Sequence, residues 1–127
     1  MRRFTLAVLA SLALSGCRTF VPSHPGLWVY GTVAQVGTGV PLVGAHVSVF
    51  GTTIKTGANG CFKLSLADAL PFEFSVEDVG YKKVVSKPPR GFFRSTVALA
   101  QDGSDGVSAV SWSESNEQTF AAVPECH

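Results

Sequence analysis

Charge is scarce in this chain and nearly balanced, with ten Lys and Arg against nine Asp and Glu in 127 residues. A net charge of +1 leaves no basic surface with which to displace counterions from phosphates, which argues against a nucleic-acid partner. Histidine and cysteine are equally sparse: His24, His46 and His127, and Cys17, Cys61 and Cys126. Metal ligands need short spacing or convergence on rigid elements, and the one adjacent pair, Cys126-His127, is terminal. No Gly-x-Ser-x-Gly elbow is present, so a Ser-His-Asp reading rests on His46 and serines abundant enough to match by chance. Glu73, Glu77 and Asp78 lie close together; paired carboxylates can cleave glycosides, but on a strand face a solvated role is simpler. Convincing amphipathic helices are missing, Ala67-Asp68-Ala69-Leu70 being at most one turn. The expectation is a protein that is not an enzyme and holds no metal or cofactor.

Long apolar runs are absent too, with one instructive exception. Phe4 to Leu14 is almost wholly apolar and follows Arg2 and Arg3. That is the length of a signal h-region and well short of the ~20 residues a spanning helix needs. An amphipathic or buried N-terminal helix is the competing reading, but the run is apolar on every side. Leu14-Ser15-Gly16-Cys17 then resembles the lipobox of bacterial lipoproteins, with two small residues before the cysteine. The resemblance implies a signal peptide (1–16) cut before Cys17, and palmitate-type acyl chains on Cys17 that anchor the chain to a membrane. Removing residues 1–16 from the 127 leaves 111, enough for one packed core. Arg18, where Asp would favour the inner membrane, points to the periplasmic face of the outer membrane in the bacterial cell envelope.

Export places the remaining cysteines in an oxidising compartment, where Cys61 and Cys126 form an even pair. A bond between them would tie the C-terminal tail to the body of the domain; two unrelated thiols are the alternative. Residues 17–27 read as the lipidated cysteine and a tether, broken by Pro22, Pro25 and Gly26. From Trp28 the pattern has period two with regular turns, the mark of half-buried strands. Candidates are 27–36, 45–50, 52–56, 61–66, 72–77, 81–87 and 93–100. Inward sets include Val29 and Val33, Val47 and Val49, Phe62 and Leu64, and Val97 and Leu99. Asn59-Gly60 is a turn that favours positive φ. The expected fold is all-β, a seven-stranded antiparallel β-sandwich over residues 28–100. Residues 101–127 form a polar tail, Ser-rich and acidic through 118 and read as flexible or loosely attached, with Phe120 to Val123 able to dock back.

Gly31-Thr32-Val33, the run Gly39-Val40-Pro41-Leu42-Val43-Gly44-Ala45-His46-Val47-Ser48-Val49, Thr56 to Phe62 and Val79-Gly80-Tyr81 together resemble the carboxypeptidase regulatory-like domain. The resemblance implies a prealbumin/transthyretin-like Greek-key sandwich and an accessory module without catalysis. Within it, Pro41 and Gly44 shape the link between the first strands, and Asn59-Gly60 closes a hairpin. Cys61 departs from the long residue usual at its position, which fits a local disulfide. Fold does not imply function, and the family supplies no functional residues.

Two surfaces are candidates for binding. Trp28, Tyr30 and Phe50 fall on outward strand faces, where exposed aromatics suggest a partner; covering by the C-terminal tail would explain them equally well. Lys82, Lys83, Lys87, Arg90 and Arg94 suit lipid headgroups, anionic glycans or an acidic protein, or serve as ordinary edge-strand protection. The expectation is an envelope-anchored binding or scaffolding module with a protein or glycan partner. The alternative is a small-ligand carrier of transthyretin-like type.

Overall fold

The computed structural model describes residues 26–49, 51–67 and 73–126. The residues read as a signal peptide, Cys17 and most of those read as a tether lie outside them, as do His24, Phe50, residues 68–72 and His127. The described residues form eight strands: β1 (Leu27–Gln35), β2 (His46–Val49), β3 (Thr52–Lys55), β4 (Cys61–Leu66), β5 (Phe74–Glu77), β6 (Val84–Ser86), β7 (Gly91–Leu99) and β8 (Ala109–Glu114). A short helix follows, α1 (Glu117–Ala122). The first sheet has the order β4-β1-β7-β8 and the second β3-β2-β5-β6, so the fold is all-β in two layers.

Alternation builds the core between them. Val29, Val33, Val47, Val49, Phe62, Phe74, Val76, Val97 and Leu99 are fully buried, while neighbours such as Trp28, Ser48, Lys63, Ser75 and Thr96 face outward, as period-two geometry demands. Phe62 and Phe74 meet across the layers with ring centroids 6.1 Å apart.

Three expectations need correction. An eighth strand exists, inside the stretch read as flexible. Ala109-Val110-Ser111-Trp112 alternates for too few residues to outweigh its polar surroundings. Even so, Val110 and Trp112 pack on the core, Trp112 meeting Phe74 edge-on at 4.9 Å and donating from Nε1 to Ser86 Oγ at 3.2 Å. The sheets are also not wholly antiparallel, since β1 and β7 pair in parallel from Leu27↔Gly91 to Gln35↔Leu99. Parallel neighbours need a long connection, and here β2 to β6 lie between them in sequence. Lastly, Asn59-Gly60 does take positive φ, 62° and 70°, but closes no hairpin: β3 and β4 belong to different sheets, and the turn carries the chain across the sandwich.

Thr56 locks that crossing. It is 4% exposed; its hydroxyl accepts from Ala45 N at 2.9 Å and donates to Leu42 O at 2.6 Å. Its own backbone pairs with Gly44 and Ala45. Thr56→Val keeps the shape but strands a buried donor and a buried acceptor, each costing about 1–3 kcal/mol. Urea unfolding is expected to show a loss of about 2–6 kcal/mol, with Thr56→Ser close to wild type. Equal behaviour of Val and wild type would mean that the hydroxyl is not the lock.

Candidate functional site: the strapped outer face of the first sheet

Period two sends Trp28, Tyr30 and Thr32 of β1, Cys61 and Lys63 of β4, and Phe92, Arg94 and Thr96 of β7 to the outer face of the first sheet. The C-terminal segment crosses that face as a strap. It leaves β8 at Ser115, whose N–H donates to Phe92 O at 2.9 Å. Asn116 caps α1, its side-chain oxygen accepting from Thr119 N at 2.8 Å, an ordinary N-cap arrangement. Phe120 then sits over the sheet, 6.4 Å from the Tyr30 ring and 5.9 Å from that of Phe92. Trp28 stacks on Phe92 at 4.8 Å. Lys63 holds the strap from below: its Nζ donates to Val123 O at 2.6 Å and lies 4.8 Å from the centre of the Phe120 ring, a cation–π contact. On the far edge a disulfide joins Cys126 to Cys61, Cα atoms 5.9 Å apart.

Trp28 and Tyr30 are thus together, but they are covered by the tail; Phe50, the third aromatic candidate, lies outside the described residues. Tyr30 Oη is hydrogen-bonded to Ser115 Oγ at 2.9 Å. The lysines are elsewhere. Lys82 Nζ donates to the carbonyls of Ser104 and Gly106 at 2.6 and 2.8 Å. Lys83 pairs with Glu77 of the second sheet at 3.8 Å, both groups more than half exposed, where such a pair is worth little. Of the basic candidates only Arg94 stands beside the aromatics, opposite Tyr30 in register; Lys82 and Lys83 do not join them, because they point to a loop and to the second sheet.

Beside the strap the outer face opens into a groove of about 360 Å³, floored by the backbones of β1, β4 and β7 and walled by Tyr30, Thr32, Arg94, Thr96, Val123 and Cys126. Arg94 is its single charge, and no carboxylate lines it. A guanidinium offers fixed donors that suit an acceptor-rich guest, with two threonine hydroxyls alongside. Sequence reasoning placed Arg94 in a basic cluster and missed this setting; the clue was its alternation with the buried Ser95 and Val97. A shallower hollow on the second sheet brings His46 together with Glu77, Asp78 and Tyr81, His46 lying opposite Glu77 in register. Among the described residues no three His, Cys, Asp or Glu side chains gather to hold a metal, and no helix is long and apolar enough to cross a membrane.

No protein-family model matches the chain, and no curated protein matches it. Among solved structures it is similar to a Bacteroides fragilis protein of unknown function whose description assigns it provisionally to the membrane. The TM-score is 0.44 at 19% identity, over 62% of this chain and 29% of that one. The present chain thus spans less than a third of that protein's length. The carboxypeptidase regulatory-like resemblance rests on the motifs of this sequence alone.

Proposed function

We propose that the chain is a bacterial envelope lipoprotein, held to the membrane by acyl chains on Cys17. Its β-sandwich is a non-catalytic binding or scaffolding module of the carboxypeptidase regulatory-like, transthyretin-like kind, facing the periplasm. Two four-stranded layers with chain crossings between them support the fold reading.

The observation that carries the functional reading is the direction of β1. It starts at Leu27, soon after Cys17, and runs away from that end of the sandwich to Gln35. An anchor before Leu27 leaves the strapped face, its groove and the loops at the far end clear of the bilayer. The Arg94 groove offers hydrogen-bond donors to a guest without a carboxylate to act as a base, which suits holding better than turnover. Several acyl chains on one cysteine give durable attachment, whereas one chain gives only marginal binding. Cys17→Ala is therefore expected to abolish labelling by radioactive palmitate and to move the protein from the membrane to the soluble fraction. A Cys17→Ala protein that still sediments with membranes, or an unlabelled wild type, would sink the proposal.

A further inference from the structure

We infer that the loop end of the sandwich is a docking surface for a protein partner that presents an apolar contact ringed by basic side chains. The inference rests on the envelope-display reading for its orientation.

Five large hydrophobic residues stand exposed among the described ones: Val40 at 51%, Val43 at 65%, Val79 at 93%, Val85 at 50% and Val107 at 76%. Four of them, all but Val85, occupy three loops (36–45, 78–83 and 100–108) at one end of the fold. The topology puts them there: β1 and β7 run parallel and finish together, β8 begins at that end opposite Ala98, and β2 begins where β5 stops, His46 facing Glu77. This is the end opposite Leu27, and so the one furthest from an anchor at Cys17.

These valines are held out by tied loops. Val36 N donates to Leu99 O and Asp102 N to Gly80 O, both at 2.9 Å. Tyr81 Oη donates to Gln35 Oε1 at 3.0 Å, and Lys82 Nζ clasps the 104–106 turn. Val79 crowns a turn in which its N–H donates to Asp78 Oδ1 at 2.9 Å. A valine has one stiff side-chain torsion, and loops already ordered lose little freedom on binding. Scattered exposed apolar residues need no explanation; four on three mutually bonded loops at one end form a group of the kind that marks an interaction surface.

Charge selects the partner. Asp78, Asp102 and Asp105 rise from the same loops, with Glu77 at the foot of one of them, against Lys82 and Lys83, which leaves a net charge of −2. Lys55 lies at the flank, at the end of edge strand β3. The net charge of the loops is acidic, which disfavours an anionic bilayer and favours a partner with Lys or Arg around its apolar contact.

Site-specific photo-crosslinking tests this in the full-length protein in its native envelope, with a photoreactive phenylalanine at position 43, 79, 107 or, as the control, 85. The expected result is one protein adduct shared by 43, 79 and 107 and absent at 85, its contacted peptide apolar and flanked by Lys or Arg. Val79→Asp with Val107→Asp should lower its yield by about tenfold, a loss of ~1.4 kcal/mol. Asp102→Asn with Asp105→Asn should weaken the adduct and blunt its sensitivity to salt. An intact Cys61–Cys126 bond on a non-reducing gel shows that these tip variants fold. Adducts to a second copy, to lipid, equally at 85, or to nothing would each overturn the inference. Palmitate labelling of the same cells separates the two readings: acylated protein without the adduct refutes the docking end alone, and the adduct without acylation refutes the anchor alone.

Discussion

Gly31→Ala is expected to cost at least about 3 kcal/mol, the top of the usual range for overpacking. A Cβ on Gly31 would lie 1.8 Å from the carbonyl oxygen of Ser95 and 2.8 Å from its carbon. These are backbone atoms of the parallel neighbour β7, so no side-chain rotation relieves the clash, and the central ladder of the first sheet has to part. Ser95 is itself fully buried, and its hydroxyl has no hydrogen-bond partner among the described residues. The strands meet at a pair of small residues with no slack. Against a domain stability of about 5–15 kcal/mol, the loss is large, and it should lower Tm by about 12 °C or more. Gly103→Ala is the informative comparison. Gly103 has φ 81° and open space around its missing Cβ, so it loses only the left-handed conformational term of about 1–2 kcal/mol. Thermal and urea unfolding followed by circular dichroism should rank Gly31→Ala well below Gly103→Ala. If the two variants matched, the close approach of β1 to β7 would be wrong.

Breaking the disulfide should have the second large effect. Cys61 and Cys126 are 65 residues apart in sequence, and for a loop of that length the chain-entropy model assigns about 4 kcal/mol. Cys61→Ser with Cys126→Ser, or reduction of the native protein, should lower the urea midpoint accordingly. A local effect should precede the global one. A six-residue helix does not persist alone, so with its far end free the strap is left to the Phe120 contacts, the Lys63 hold and the Ser115 bonds. Limited proteolysis is expected to cut between Ser115 and Cys126 in the reduced protein and to spare the oxidised one, and an apolar dye should bind the uncovered Tyr30 and Phe92. Identical proteolysis in both states would show that the disulfide does not hold the strap.

The strands were legible wherever alternation ran long enough. Val47 and Val49, Phe62 and Leu64, and Val97 and Leu99 each repeat every second residue, and each is buried. Strand partners were not legible, because pairing is decided by contacts remote in sequence. Nothing near Leu27 or Gly91 announces that these residues lie side by side in parallel. β8 was hidden for a local reason: its inward residues, Val110 and Trp112, are set among serines and acidic residues that taken alone read as unstructured. The outward turn of Trp28 and Tyr30 could be read from period two, whereas their cover by the tail stood only as one of two equal readings, the other being an open binding surface. The cover depends on Phe120 and Cys126 returning across three strands, after a stretch in which composition gives no direction. The basic cluster failed as a surface for the converse reason. Lys82, Lys83 and Arg94 are near one another in sequence, yet the chain turns between them, so their charges point to a loop, to the second sheet and to the strapped groove.

The place of β1 within its sheet also bears on mechanical load. It lies between β4 and β7, with six residue partners on one side and nine on the other, and it is the strand nearest to whatever precedes Leu27. Its ladder bonds stand across the strand axis. A pull arriving through the N-terminal residues is directed along that axis and meets both ladders in shear, many bonds sharing the force at once. Were β1 an edge strand pulled sideways, the same bonds would open one after another. If the chain is anchored through its N-terminal residues as proposed, the strand that first receives the tension is one of the two most firmly gripped, β7 being the other, and the sandwich can stay folded while it is dragged.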